Sequence, residues 1–113
     1  MTSSLTTHVL DTGRGAPASG VQVTLAHETP AGWRRVAEAE TDADGRCKAL
    51  LRGGELRAGM YRLAFDVGSY FRARGVEPFW REIIVEFAVK DASAHYHVPL
   101  LVSPFGYSTY RGS

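Results

Sequence analysis

Short apolar alternations, interrupted about every ten residues by a turn signal, constrain this chain more than any other feature. Successive side chains on a strand point to opposite faces, so a period of two marks half-buried strands. The rhythm is that of an all-β sandwich. The most regular run is residues 81–90, where Ile83, Val85, Phe87 and Val89 point one way and Glu82, Ile84, Glu86 and Ala88 the other. Residues 5–10 predict a first strand, with Leu5, Thr7 and Val9 on one face and Thr6, His8 and Leu10 on the other. A loop follows over 13–20, then a strand over 21–26 carried by Val21, Val23 and Leu25. Residues 29–32 make a hairpin-like turn into a more polar strand over 33–41.

Asp42, Ala43, Asp44 and Gly45 form a tight turn, since Asp supplies side-chain bonds and Gly a positive φ. A short strand over 46–51 ends at Gly53 and Gly54, and residues 60–67 form the next, with Tyr61, Leu63 and Phe65 inward. Residues 68–75 lack β-branched side chains and predict one short helix with Ser69 capping its start. Pro78 closes that connection, and 91–94 turn into a final hairpin. The expected architecture is eight strands and one short helix, packed as two antiparallel four-stranded sheets.

A chain of 113 residues fits one domain, residues 1–113. It should bury roughly 65% of its unfolded surface, enough for a core without staples. Thirteen basic and 12 acidic residues leave a formal charge of +1, which argues against a nucleic-acid or anionic-membrane partner. One cysteine, Cys47, makes neither an internal disulfide nor a cysteine-based zinc site. No apolar run approaches the ~18 residues of a membrane span. The start, MTSSLTTHVL, lacks the basic and apolar regions of a secretory signal. A cytoplasmic location is expected, or a periplasmic one if a leader was removed.

Three basic side chains stand where a sandwich core has no use for them: His8, Arg46 and His97. His27 and His95 read as solvated surface residues. His95 and His97 share a strand face, a spacing that can hold a metal, but no carboxylate or cysteine stands at a fixed offset to complete a set. Ser103, Ser108 and Cys47 lack a nucleophile elbow, and no glycine-rich strand-to-helix loop offers a phosphate cradle. Should His8, Arg46 and His97 converge, the chemistry they suit is narrow. A neutral imidazole takes a proton from water near neutral pH, and an arginine holds a carbonyl oxygen as it becomes an oxyanion. A positioned base is worth ~10² to 10⁴ in rate and an oxyanion contact ~10² to 10³. That suffices for an activated cyclic amide and hardly for a peptide bond.

The last 19 residues, HYHVPLLVSPFGYSTYRGS, end the chain in an apolar strand, a turn and a second strand. His95 and His97 face one side there, and Tyr96, Val98 and Leu100 the other; Pro104 and Gly106 mark the turn. A chain that runs straight out of a strand to Ser113 and a terminal carboxylate suggests that the end itself is used. The terminal YSTYRGS, residues 107–113, resembles the signature end of the 5-hydroxyisourate hydrolases, transthyretin-related enzymes of purine breakdown. LTTHVLDTGRGAPA at 5–18, TDADGRC at 41–47 and the whole of 96–113 agree with that family in order and spacing. Transthyretin shares the fold but lacks the closing Tyr-Arg-Gly-Ser and the histidines at the positions of His8 and His97.

The resemblance implies a transthyretin-like sandwich that assembles as a homotetramer, a dimer of dimers, with active sites in a channel where dimers meet. It implies hydrolytic opening of the six-membered ring of 5-hydroxyisourate to 2-oxo-4-hydroxy-4-carboxy-5-ureidoimidazoline in urate catabolism, with no metal or organic cofactor. By carry-over, His8, Arg46, His97 and Ser113 are catalytic, and His8, Arg46, Tyr110, Arg111 and Gly112 bind substrate. On that reading His97 and His8 hold and deprotonate water, Arg46 grips a carbonyl, and Arg111 anchors the tail or the substrate. Two other classes compete: a transthyretin-like carrier that retains a ligand without turnover, and a monomeric adhesive sandwich indifferent to loss of residues 110–113.

Overall fold

The structure, a computed structural model, describes residues 3–52 and 54–113; of the strand side chains within them, those of Ser3 and Ala49 are left undescribed. Gly53, one of the two glycines expected to end a strand, therefore lies outside the described residues. Nine strands and one helix follow in order: β1 (Ser3–Asp11), β2 (Ala16–Pro17), β3 (Gln22–Thr29), β4 (Gly32–Glu40), β5 (Arg46–Arg52), β6 (Gly59–Phe65), α1 (Val67–Ala73), β7 (Ile83–Val89), β8 (Tyr96–Ser103) and β9 (Gly106–Thr109). They form the expected sandwich. One sheet runs β4-β3-β6-β7, and the other runs β2-β1-β8-β9 with β5 also on β1.

The alternation dictates which faces meet. Leu5, Val9, Leu100 and Val102 from one sheet pack against Val23, Leu25, Leu63 and Phe65 from the other, all fully buried. Burying each such side chain is worth about 1.5–3 kcal/mol.

Two features depart from the expected pair of antiparallel four-stranded sheets. The loop over 13–20 contains a two-residue strand, β2, which pairs with Leu10 and Asp11 and brings one sheet to five strands. More consequentially, β1 and β8 run parallel, in register from Leu5 opposite Tyr96 to Asp11 opposite Val102. The other pairings are antiparallel.

The helix also begins earlier than its composition suggests. Strand β6 stops at Phe65, and Val67, expected at the end of that strand, is the first helical residue. The cap is Asp66, not Ser69: its carboxylate accepts the backbone N–H of Ser69 at 3.1 Å and the Ser69 hydroxyl at 2.7 Å. Both residue types cap helices well, and the one that precedes the first turn takes the position. Tyr70 then ties the helix to the end of β1 by donating its buried hydroxyl to Asp11 at 2.8 Å. Replacing Asp66 with Ala should lower stability by about 1 kcal/mol in urea unfolding, and Ser69→Ala by less, because the backbone N–H bond survives.

Candidate active site

The parallel register of β1 and β8 assembles the site. Thr6 lies opposite His97 and His8 opposite Pro99. On the other flank of β1, the antiparallel partner β5 places Arg46 opposite His8. Leu5, Thr7 and Val9 of β1 and Tyr96, Val98 and Leu100 of β8 enter the core, so Thr6, His8 and His97 are left on the outer face of the sheet, with His95 just ahead of β8.

Arg46 owes its place to the turn before it. The Asp42 carboxylate accepts the backbone N–H groups of Asp44 at 2.9 Å and Arg46 at 3.0 Å. The Arg46 bond is the main reason that carboxyl titrates below its usual range. Gly45 completes the turn at φ +77°, where a Cβ would stand 2.5 Å from the Val9 carbonyl oxygen. Only glycine fits there, and it delivers Arg46 directly to the strand start.

An open cavity of about 370 Å³ lies on this face, lined by Thr6, Arg46, Lys48, His95, His97 and Ser113. His97 is half-buried in its wall. Its Nδ1 shares a hydrogen bond with Thr6 Oγ1 at 2.8 Å, and the same oxygen lies 3.3 Å from His95 Nε2. Burial holds the His97 pKa below the ordinary histidine value of 6.5, and the Arg46 charge pushes the same way. His8 and His95 add smaller pushes downward, while a bond to the Thr6 backbone opposes them. The imidazole is therefore neutral at physiological pH and able to accept a proton.

His8 sits beside the cavity rather than in its wall. Its Nε2 lies 2.9 Å from the Asp44 carbonyl oxygen. A carbonyl only accepts, so Nε2 carries the proton and Nδ1 is left as an acceptor. Cys47 also borders the cavity, but burial pushes its thiol up to about 11, far from a reactive thiolate.

The tail splits around the strand edge. The Gly112 N–H donates to the His97 carbonyl at 2.7 Å, and a Cβ on Gly112 would stand 2.5 Å from His97 Cδ2. The missing side chain thus makes room for the imidazole, and Ser113 reaches the cavity. Tyr110 and Arg111 lie elsewhere within the chain. They border a second cavity of about 230 Å³ with Val85, Phe87 and Val98, and the Arg111 guanidinium sits 4.4 Å above the Tyr96 ring. Tyr96 faces the opposite side of β8 from His97. The single chain therefore brings Arg46, His97, Gly112 and Ser113 together with His8 alongside, and leaves Tyr110 and Arg111 behind the strand. Thr6, Lys48 and His95, the last read as a solvated surface residue, are the site residues that sequence reasoning missed. Alternation had put Thr6 on the same face as His8, but only the parallel pairing brings it to His97.

A two-layer sandwich with an outer-face cluster of imidazole and guanidinium defines a class of protein. Residues 5–112 match the HIUase/Transthyretin family, and the chain belongs to it. Over 98% of this chain it is 48% identical to the 5-hydroxyisourate hydrolase of Caulobacter vibrioides, covering 99% of that relative. Among solved structures it resembles the Klebsiella pneumoniae 5-hydroxyisourate hydrolase, with a TM-score of 0.87 and 37% identity over 98% of this chain and 99% of that one. Sea bream transthyretin, solved with thyroxine, superposes with a TM-score of 0.91 at 33% identity, over 96% of this chain and 94% of that one.

Two outcomes test this geometry. In an NMR titration His97 should titrate below 6.5, and Arg46→Gln should raise its pKa, because removing a neighbouring cation relieves repulsion of the imidazolium. Gly112→Ala should displace the His97 ring, seen as large shifts in its imidazole signals with the apolar core signals unmoved.

Proposed function

We propose that this chain hydrolyses 5-hydroxyisourate to 2-oxo-4-hydroxy-4-carboxy-5-ureidoimidazoline. The observation that carries the reading is a neutral, half-buried His97 in one cavity with the Arg46 guanidinium. The family and the close hydrolase relatives support it. Fold alone does not, because the transthyretin carrier superposes equally well.

The chemistry follows from the groups present. His97 takes one proton from a water whose oxygen attacks a ring carbonyl carbon. Arg46 donates to the carbonyl oxygen as negative charge develops there. The ring C–N bond then breaks, His97 passes its proton to the departing nitrogen, and the carbon is left as a carboxylic acid that releases its remaining proton to solvent to become a carboxylate. Base and oxyanion contacts of this kind supply about 10² to 10⁴ and 10² to 10³ in rate. His8, held by Asp44 through Nε2, offers Nδ1 as a second acceptor for the water. Ser113 contributes polar contacts to substrate or water at the cavity wall.

Tyr110 and Arg111 fit this reading through assembly. Strands β7 and β9 are open sheet edges, and an unpaired edge invites pairing with a second copy. Beside them, Phe79 and Phe105 are 64% and 77% exposed with ring centroids 5.9 Å apart, and Tyr110 is 58% exposed. Two such contacts per chain build a dimer of dimers in which Tyr110 and Arg111 reach the cavity of a neighbouring subunit. Light scattering should then give the mass of a tetramer.

The direct test follows the ultraviolet absorbance of freshly generated 5-hydroxyisourate. The chain should speed its loss catalytically, and His97→Asn should lower kcat/KM by at least about 10²-fold. Spontaneous decay at an unchanged rate, with ligand retained stoichiometrically, would mark a carrier instead.

A further inference from the structure

The hydroxyl of Thr6 stands between two imidazoles on the cavity wall. It is 2.8 Å from His97 Nδ1 and 3.3 Å from His95 Nε2. The arrangement is imposed by the fold: parallel pairing sets Thr6 beside His97, and His95 shares a face with His97 two residues away. A threonine hydroxyl has one proton to give and two lone pairs to accept with. Its proton can serve only one of the two rings.

We propose that Thr6 is a positioning residue: His97 donates its Nδ1–H to Thr6 Oγ1, Thr6 donates its own proton to His95 Nε2, and His97 is thereby left with an unprotonated Nε2 for the attacking water. The inference rests on the hydrolase reading and adds to it the atom that does the work. The opposite polarity, with Thr6 donating to His97 Nδ1, would put the proton on Nε2. His97 would then be one more donor beside Arg46 and Lys48, unable to take a proton from water. The nitrogen of a catalytic histidine that is free to react is set by the bond its other nitrogen makes. Here that bond is the shorter of the two Thr6 makes to the histidines.

The same bond has an electrostatic sign. An oxygen that accepts from Nδ1–H steadies the imidazolium, adding to the bond from the Thr6 backbone and opposing the burial and the Arg46 charge that lower the His97 pKa most. Arg46 and Lys48 approach from β5, His8 from β1 and His95 from the residue just before β8, and none of them is altered when Thr6 alone is changed. The Thr6 effect is therefore separable from theirs.

The test compares Thr6→Val, which keeps the β-branched shape suited to a strand, with Thr6→Ser, which keeps the hydroxyl. In nitrogen NMR of histidine-labelled protein, with His97 assigned from His97→Asn, the unaltered chain should show a protonated Nδ1 and a bare Nε2. Thr6→Val should lose that preference and Thr6→Ser should keep it. In the absorbance assay Thr6→Val should lose about 10- to 100-fold in kcat with KM little changed, the usual size of an outer-shell effect. Its acidic limb should move to lower pH, and Thr6→Ser should restore both rate and limb. A proton found on Nε2 of His97 in the unaltered chain would overturn the proposal, as would a Thr6→Val variant with unchanged kcat and limb. Absence of turnover by the unaltered chain would overturn the hydrolase reading instead, and the spectrum, which needs no substrate, would still decide the tautomer.

Discussion

The whole candidate site depends on the parallel ladder between β1 and β8. Those strands come from opposite ends of the chain, with Thr6 and His97 separated by 91 positions. Their register is fixed from the other face of the same sheet, where Leu5, Val9, Leu100 and Val102 are fully buried. A slip of one residue in β8 would turn Val98 and Leu100 to water and His97 into the core. At about 1.5–3 kcal/mol for each apolar side chain exposed, that slip costs far more than any contact on the outer face returns. The core thus holds the imidazole to its neighbours without touching it.

What the outer face gains is a local imbalance of charge in a chain that is nearly neutral overall. Arg46 stands beside His97, so a half-buried imidazole is kept unprotonated by both burial and repulsion. The same cation that suppresses its protonation suits a developing oxyanion. Sea bream transthyretin and the Klebsiella hydrolase superpose on this chain with TM-scores of 0.91 and 0.87, and backbone likeness alone favours neither activity. The tail works toward the same end. Gly112 bonds the His97 backbone and has no side chain to press on the ring.

Period-two alternation exposed most of the fold, because a strand between core and water has little freedom in which faces it shows. Tyr61, Leu63 and Phe65 are buried as their spacing demands, and the Asp42-to-Gly45 turn lies where its residue types put it. Partner choice was not legible. Amphipathic strands of similar length carry no local mark of which neighbour they take or in which direction, so the parallel pairing escaped, and Thr6 with it. Strand β2 is too short to show any period. Ser69 and Asp66 are equally good caps by composition, and only the backbone position where β6 ends decides between them. In the tail, alternation extends through Arg111, but β9 stops at Thr109 and Arg111 folds over Tyr96. A cation held by an aromatic face leaves no period-two signature.

The central claim is that His97 and Arg46 act as one unit on a single carbonyl. A double-mutant cycle on kcat/KM for 5-hydroxyisourate, with His97→Asn, Arg46→Gln and the pair together, measures that most directly. Groups that serve the same step are strongly non-additive, so the double variant should be scarcely slower than the worse single one. Losses that simply multiply, as for distant and independent residues, would contradict it.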